Sequence, residues 1–356
     1  MRIAQVCPYS LTIPGGVQGQ VMGLARALRA LGHETRVLAP CDGPPPDAGV
    51  TPLGASIPTA SNGSMAPIAP DLSCALRTIR ALRDEDFDIV HLQEPLCPGP
   101  TLTTLLFSDR PKIGTFHRSG RSSAYLALRP MVRAVNRRLD MRCAVSRDAR
   151  ATAEAALGGG EYETVFNGIE VERYTKAEPW PTDGPTIFFI GRHEERKGLE
   201  VLLAAFEQLP DEVHLWVAGE GPQTAALEAR TADDRRIHWL GRVSDAEAAS
   251  RLRGADAFCA PSLHGESFGV VLLEAMAAQT PIVASDLPGY RNVARPDTDA
   301  VLVPPGDPDA LAAALRRVLT DAVLAADLVA SGDARAAAFS MDRLAERYVQ
   351  LYERLL

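Results

Sequence analysis

In HGESFGVVLLEAMAA (264–278) a glutamate precedes an apolar run and a second one stands inside it. Glu266 comes before Val270, Val271, Leu272 and Leu273, and Glu274 follows them, ahead of Ala275 and Met276. A carboxylate set among hydrophobes is costly unless a donor reaches it. A pair of sugar hydroxyls could be that donor, and so could an arginine at the helix surface. A helix starting near Ser267–Gly269 would aim its unpaired N–H groups and positive dipole end at whatever lies beside Glu266. Upstream, GRHEERKG (191–198) sets Arg192 and Lys197 beyond a strand-like run. A planar fork and a point charge placed there could clamp a diphosphate, or they could be two solvated loop cations. Near the N-terminus PYSLTIPGGVQGQ (8–20) offers Gly15-Gly16 at a helix start, bare backbone that a phosphate can approach. That loop has neither the spaced glycines of a dinucleotide fingerprint nor the lysine of a Walker A loop. His117, in TFHRS, suits a packing role as readily as proton chemistry. No carboxylates pair as acid and nucleophile, which argues against glycosidase-type double displacement.

Such residues need elements to hold them. Short apolar runs alternate with amphipathic stretches along the chain. The first half has strand-like runs at 2–7, 35–39, 88–92, 112–116 and 143–146, with a helix presenting Val21, Leu24, Ala25, Leu28 and Leu31 before a Gly32 C-cap. The second half has them at 186–191, 213–219, 236–241, 257–262, 281–286 and 300–305. This alternation predicts parallel sheets in two Rossmann-like, doubly wound α/β domains, 1–170 and 180–340. The boundary is expected within the turn-rich stretch 171–185, and 342–356 reads as an amphipathic helix. Two such sheets facing one another would make an interdomain cleft at their strand carboxyl ends.

Composition narrows the class. The 356 residues are 46% hydrophobic, and no apolar run approaches the ~18 residues of a membrane span. No secretory signal is read at the N-terminus. Six scattered cysteines without a CxxC read as free thiols in a reducing cytoplasm. Net charge is −8, yet 109–150 carries eleven Lys/Arg against three acids. That +8 segment is a solvated face or a dock for an anionic membrane surface on the cytoplasmic side. Nucleic acid fits less well, since aromatics do not interleave with the arginines. Asp86-Phe87-Asp88 has DxD form but precedes its strand, so it reads as a polar helix end, and no metal is assigned.

Taken together, Glu266–x7–Glu274, Arg192, Lys197 and Gly15-Gly16 resemble the signature of retaining GT-B glycosyltransferases of family 4. MRIAQVCPYSLTIPGGVQ, the NGS at 62–64, the HLQEP at 91–95 and HGESFGVVLLEAMAA further resemble actinobacterial phosphatidylinositol mannosyltransferases, which use GDP-mannose. The resemblance implies a nucleotide-sugar-binding second domain and an acceptor-binding first domain, onto which the C-terminal helix packs back. It implies that Glu274 holds the nucleotide ribose and that Glu266 lies beside the transferred sugar. Backbone at Phe268, Gly269 and Val270 would contact sugar and phosphate, and Val243 the base. Arg192, Lys197, Gly15 and Gly16 would hold the diphosphate, and His117 would stand near sugar and acceptor. Tyr9, Gln18, Asn62 and Ser64 match positions around a lipid or polyol acceptor, with Arg118 and Arg121 added on that side. No cofactor beyond the nucleotide sugar is implied.

The acceptor side departs from that pattern. Pro67 replaces a family arginine, the basic helix is thinned to Arg77, Arg80 and Arg83, and Arg118, Gly120 and Arg121 stand where the family has small hydroxyl residues and a lysine. The sequence therefore leaves open a UDP-hexose donor with a soluble or polyprenyl-linked acceptor. It also leaves open a nucleotide-sugar-binding protein without turnover, and a pyridoxal phosphate-dependent phosphorylase, which would need a cofactor lysine.

Overall fold

The computed structural model describes residues 1–61, 64–118, 129–158 and 160–356. It divides into two compact units, 1–168 with 341–356, and 169–340. The strands of the first unit are β1 (Arg2–Val6), β2 (Glu34–Ala39), β3 (Val50–Pro52), β4 (Ile57–Ser61), β5 (Ser64–Ile68), β6 (Ile89–Gln93), β7 (Lys112–Phe116), β8 (Met141–Ala144) and β9 (Glu163–Thr164). Its helices before residue 168 are α1 (Gly16–Ala30), α2 (Leu72–Asp84), α3 (Pro100–Phe107), α4 (Arg129–Asn136) and α5 (Arg147–Leu157). The sheet runs β3-β2-β1-β6-β7-β8-β9 with every pair parallel, while β4 and β5 form a separate antiparallel hairpin. Helices cover both faces, so β6 is buried along its whole length, the polar His91 and Gln93 included. α1 ends in a Schellman motif. Gly32 has φ 85°, its N–H reaches Arg29 O and that of His33 reaches Leu28 O.

The second unit contains β10 (Thr186–Ile190), β11 (His214–Ala218), β12 (Ile237–Gly241), β13 (Ala257–Ala260), β14 (Ile282–Ser285) and β15 (Val301–Val303). Their order is β12-β11-β10-β13-β14-β15, again all parallel. Its helices are α6 (Val171–Thr175), α7 (Leu199–Phe206), α8 (Thr224–Arg230), α9 (Asp245–Gly254), α10 (Val270–Ala277), α11 (Pro308–Thr320) and α12 (Ala322–Ala338). The break at 168/169 lies upstream of the turn-rich stretch, because α6 at its start packs on α9 and α10.

The last helix, α13 (Met341–Glu353), belongs to the first unit. Leu344, Tyr348, Leu351 and Tyr352 lie with Leu24 and Leu28 of α1 over Ile3, Ile89, Ile113 and Cys143 of the sheet. Leu351 is completely buried there, so Leu351→Ala should cost about 2–5 kcal/mol, read as a lower denaturation midpoint with an unchanged slope. Asp86-Phe87-Asp88 is not a helix end. α2 stops at Asp84, Phe87 is core, Asp88 accepts the Arg2 N–H at 2.7 Å and Asp86 pairs with Arg110.

Candidate functional site

In an open parallel sheet the loops flanking the strand-order reversal form a crevice at the strand carboxyl ends. In the second unit that point lies between β10 and β13, and the loops leaving those strands carry Arg192–Lys197 and Ser262–Gly269. A Cβ on Gly198 (φ 68°) would strike the Pro261 carbonyl, and one on Gly289 would strike that of Glu266, so the loops are held close together. Lys197 Nζ lies 2.6 Å from Glu266 Oε1, Ser262 Oγ donates to the same oxygen at 3.0 Å, and Arg196 Nη1 stands 3.5 Å away. Arg196 also donates from Nε to Glu194 at 3.0 Å, and Arg192 Nε lies 3.1 Å from Glu194 on its other oxygen. Three cations are thus held by two carboxylates, each only 12% exposed.

The helix beside them starts as its sequence suggests. Gly269, with φ 95°, is the N-cap of α10, Val270 is its first residue, and the first turn has neither a side-chain cap nor an acid. The dipole end and unpaired N–H groups therefore sit next to the cation cluster, an arrangement that suits an anion. Phe268 supplies backbone here, because its ring is core and packs edge-on against Phe339.

Glu274 lies on α10 and is partly buried. Its protein partner is the Tyr174 hydroxyl of α6, which donates to the carboxylate, with Arg173 nearby and Asp245 opposing. Burial outweighs these interactions and pushes its pKa up to about 7. A single hydroxyl leaves carboxylate lone pairs for further donors. Val243 sits between β12 and the Ser244 N-cap of α9, one residue past Arg242, whose Nε lies 2.9 Å from Glu220.

In the first unit the reversal lies between β1 and β6. Gly15 and Gly16 open α1 after β1, again without a side-chain cap or a first-turn acid. A Cβ on Gly15 would collide with Gln18, whereas one on Gly16 meets no described atom within 4 Å. Gln18 itself is 8% exposed and donates to the carbonyls of Ile13 (3.1 Å) and Ser10 (3.4 Å), so here it braces the loop. Tyr9 forms an isolated bridge with Ile68 at the base of the hairpin. His117 follows β7, with its main-chain N–H on Glu94 Oε1 at 2.7 Å and Nε2 on Gln93 Oε1 at 2.6 Å. Burial draws its pKa down to about 4, so the imidazole is neutral at ordinary pH. Arg118 adds a backbone donor and its charge to Glu94. Ser64 opens β5 opposite Ser61. Asn62 and Arg121 lie outside the described residues.

Residues 14–173 match the model of Glycosyltransferase Family 4 and residues 184–321 that of Glycosyl transferases group 1. A phosphatidyl-myo-inositol mannosyltransferase of Mycobacterium leprae (strain TN) is 39% identical, covering 99% of this chain and 96% of that protein. The chain belongs to the GT-B glycosyltransferases of family 4. A protein of the same name from Propionibacterium freudenreichii is 35% identical over 85% of this glycosyltransferase and 81% of its own length. Among solved structures, Thermosynechococcus elongatus sucrose-phosphate synthase superposes with TM-score 0.78 at 22% identity, covering 99% and 98% of the two chains. Anabaena HepE in complex with UDP-glucose reaches 0.77 at 19% identity, covering both chains completely.

Four residues of this glycosyltransferase's candidate site escape a sequence reading. Arg196 and Glu194 lie inside the GRHEERKG motif, but only the fold shows that Arg196 bridges two carboxylates. Tyr174 and Gln93 meet their partners through tertiary contacts distant in sequence, which local pattern cannot report.

Proposed function

We propose that this glycosyltransferase moves mannose from GDP-mannose onto phosphatidylinositol with retention of anomeric configuration. The observation that carries the reading is the cluster of Arg192, Arg196 and Lys197 beside the uncapped start of α10. Charge that develops on a departing diphosphate would meet fixed cations and backbone N–H groups there, preorganised before reaction. In this reading the second unit binds the donor: ribose at Glu274, base at Val243, and sugar and phosphate at Glu266 and the Phe268–Val270 backbone. The first unit binds the acceptor through Tyr9, Gln18, Asn62, Ser64, Arg118 and Arg121, with Gly15 and Gly16 approaching the diphosphate and His117 near the sugar. The reacting bond passes through an oxocarbenium-like state, and the leaving phosphate helps deprotonate the incoming hydroxyl.

Mannose and phosphatidylinositol are favoured by the phosphatidyl-myo-inositol mannosyltransferases that are 35–39% identical. A membrane-borne acceptor suits the +8 stretch 109–150, where Arg129, Arg138 and Arg142 hydrogen-bond main-chain carbonyls. It also suits the exposed Leu72 and Leu76 on the helix bearing Arg77, Arg80 and Arg83. No described helix is long and apolar enough to cross a membrane, and the docking proposed here is peripheral, on the cytoplasmic leaflet. A second reading keeps the reaction but uses a UDP-hexose and another acceptor. The different acceptor is favoured by Pro67, Arg118, Gly120 and Arg121, where this chain leaves the family pattern.

Calorimetric titration with GDP and UDP, then GDP release from GDP-mannose over phosphatidylinositol vesicles at low and high salt, separates these readings. We expect tighter GDP binding, release stimulated by phosphatidylinositol but not phosphatidylcholine, and stimulation that weakens with salt. Preference for UDP, or GDP binding without a lipid response, would discard this donor and acceptor.

A further inference from the structure

The sheet face covered by α1 and α13 is apolar near the strand starts and polar towards the carboxyl ends. Gln5, His91, Gln93 and Thr115 are all buried there, and they form one hydrogen-bonded network with two tyrosines of α13. Tyr352 OH lies 2.8 Å from His91 Nδ1 and accepts from Gln5 Nε2 at 3.0 Å, while Tyr348 OH lies 3.0 Å from Thr115 Oγ1. Gln93 Nε2 donates to Gln5 Oε1 at 3.3 Å and stands 3.2 Å from His91 Nε2. A flip of the Gln93 amide alone would set its oxygen against that of Gln5. The other end of the amide presents Oε1 to His117 Nε2 at 2.6 Å. An amide oxygen only accepts, so the proton of the neutral imidazole must sit on Nε2, and Nδ1 keeps the lone pair.

Glu94 completes the clamp. It is 5% exposed with φ +49°, a left-handed conformation that is strained for a non-glycine residue and concentrates at functional sites. Its carboxylate turns under the loop after β7 and takes the main-chain N–H groups of His117 and Arg118. One residue fixes the ring and the next fixes the backbone that carries it.

We propose that Gln93 and Glu94 are positioning residues that lock His117 as its Nε2–H tautomer, so that the imidazole meets a hydroxyl of the sugar or polyol acceptor through Nδ1, as a hydrogen-bond acceptor. This rests on the reading that places His117 beside sugar and acceptor. Among the described residues, His91, itself drawn down to about 3 by burial, is coupled to the ring, and Glu94 and Arg118 meet at its main chain.

The test is ¹⁵N-histidine NMR of the whole protein across pH, on wild type, Gln93→Glu and Gln93→Met, with His117→Ala for assignment. Wild type should carry its proton on Nε2 of a ring still neutral at pH 6. In Gln93→Glu a carboxylate faces Nε2–H, which stabilises the imidazolium, so the His117 titration should move up by at least about one unit. Activity in that variant should then fall as pH drops through the new midpoint. Gln93→Met removes the acceptor without adding charge. It should populate both tautomers and lower kcat by on the order of tenfold or more, with donor KM unchanged. Thermal unfolding of each variant separates these effects from loss of fold. A proton on Nδ1 in wild type, or an unmoved titration in folded Gln93→Glu, overturns the positioning claim. Full activity of His117→Ala instead overturns the place given to His117 in the reaction, and the tautomer result shows which of the two has failed.

Discussion

Lys197→Met should lower kcat by on the order of 10²–10³-fold while donor KM changes far less. The split follows from where the ammonium sits. In the free protein Lys197 is paired with Glu266 at 2.6 Å, and the pair is mostly buried, with side chains 20% and 12% exposed. In the proposed reading, a diphosphate whose charge grows as the sugar departs would gain most from that ammonium in the transition state, whereas Arg192 and Arg196 would still bind the ground state. The same substitution strips Glu266 of its nearest cation and leaves it to Arg196 at 3.5 Å and the Ser262 hydroxyl. Breaking such a pair is more destabilising than removing both partners. Lys197→Met should therefore lower the unfolding midpoint, and adding Glu266→Gln should restore stability without restoring turnover. Steady-state kinetics and thermal unfolding of the single and double variants check both halves. Recovery of kcat in the double variant would mean that Lys197 serves Glu266 and not the leaving group.

The fold was legible where chemistry is repetitive. Lys112–Phe116 matches its predicted strand residue for residue, and Gly32 ends α1 as its position suggested, because buried parallel strands and helix ends carry dense local signals. Four strands gave no such signal. Val50–Pro52 and Glu163–Thr164 are short edge strands, and the β4–β5 hairpin sets Pro58 opposite Pro67, residues that weaken any strand pattern. The boundary was misplaced for a related reason. Pro and turn residues in 171–185 suggested a linker, whereas Val171, Tyr174 and their neighbours form a helix fixed by packing on α9 and α10.

For the candidate site, sequence pointed to loops leaving the strand carboxyl ends, because parallel α/β sheets present chemistry there and strand ends can be read. It could not give the partners of those loops. Arg196 carries no signal of its own in GRHEERKG, and the fold brings Glu194 and Glu266 to either side of it. Gln93 lies one residue past the predicted strand 88–92, and only the fold brings His117 of the loop after β7 to its amide. Contacts between distant segments decide both roles, and no periodicity encodes them. Glu274 is the intermediate case, since the run of hydrophobes announced a carboxylate in need of a donor but not the hydroxyl of Tyr174.

That carboxylate should trade stability against nucleotide affinity, and the sign can be worked out. Burial raises the Glu274 pKa to about 7 from an ordinary 4.5, so the folded protein holds this proton more tightly than the unfolded chain. The resulting stability is fully present below about pH 4.5 and lost as pH rises through about 7. Glu274→Gln keeps the shape and an oxygen for Tyr174 without the charge. It should match wild type near pH 4.5 and exceed it at pH 8, by up to about 3 kcal/mol from the size of the shift. Nucleotide binding should move the other way. Ribose hydroxyls donate best to an ionised carboxylate, so the variant should lose about 2–4 kcal/mol of affinity at pH 8, tens- to several-hundred-fold. Wild-type affinity should also weaken as pH falls below about 7, with close to one extra proton released on binding. Phosphate titrates in the same window, so the quantity to read is the difference between wild type and Glu274→Gln, by calorimetry in buffers of different ionisation enthalpy. A variant that binds nucleotide as tightly as wild type at pH 8 would remove Glu274 from the ribose. A variant no more stable there would mean that Tyr174 and Arg173 already compensate the charge.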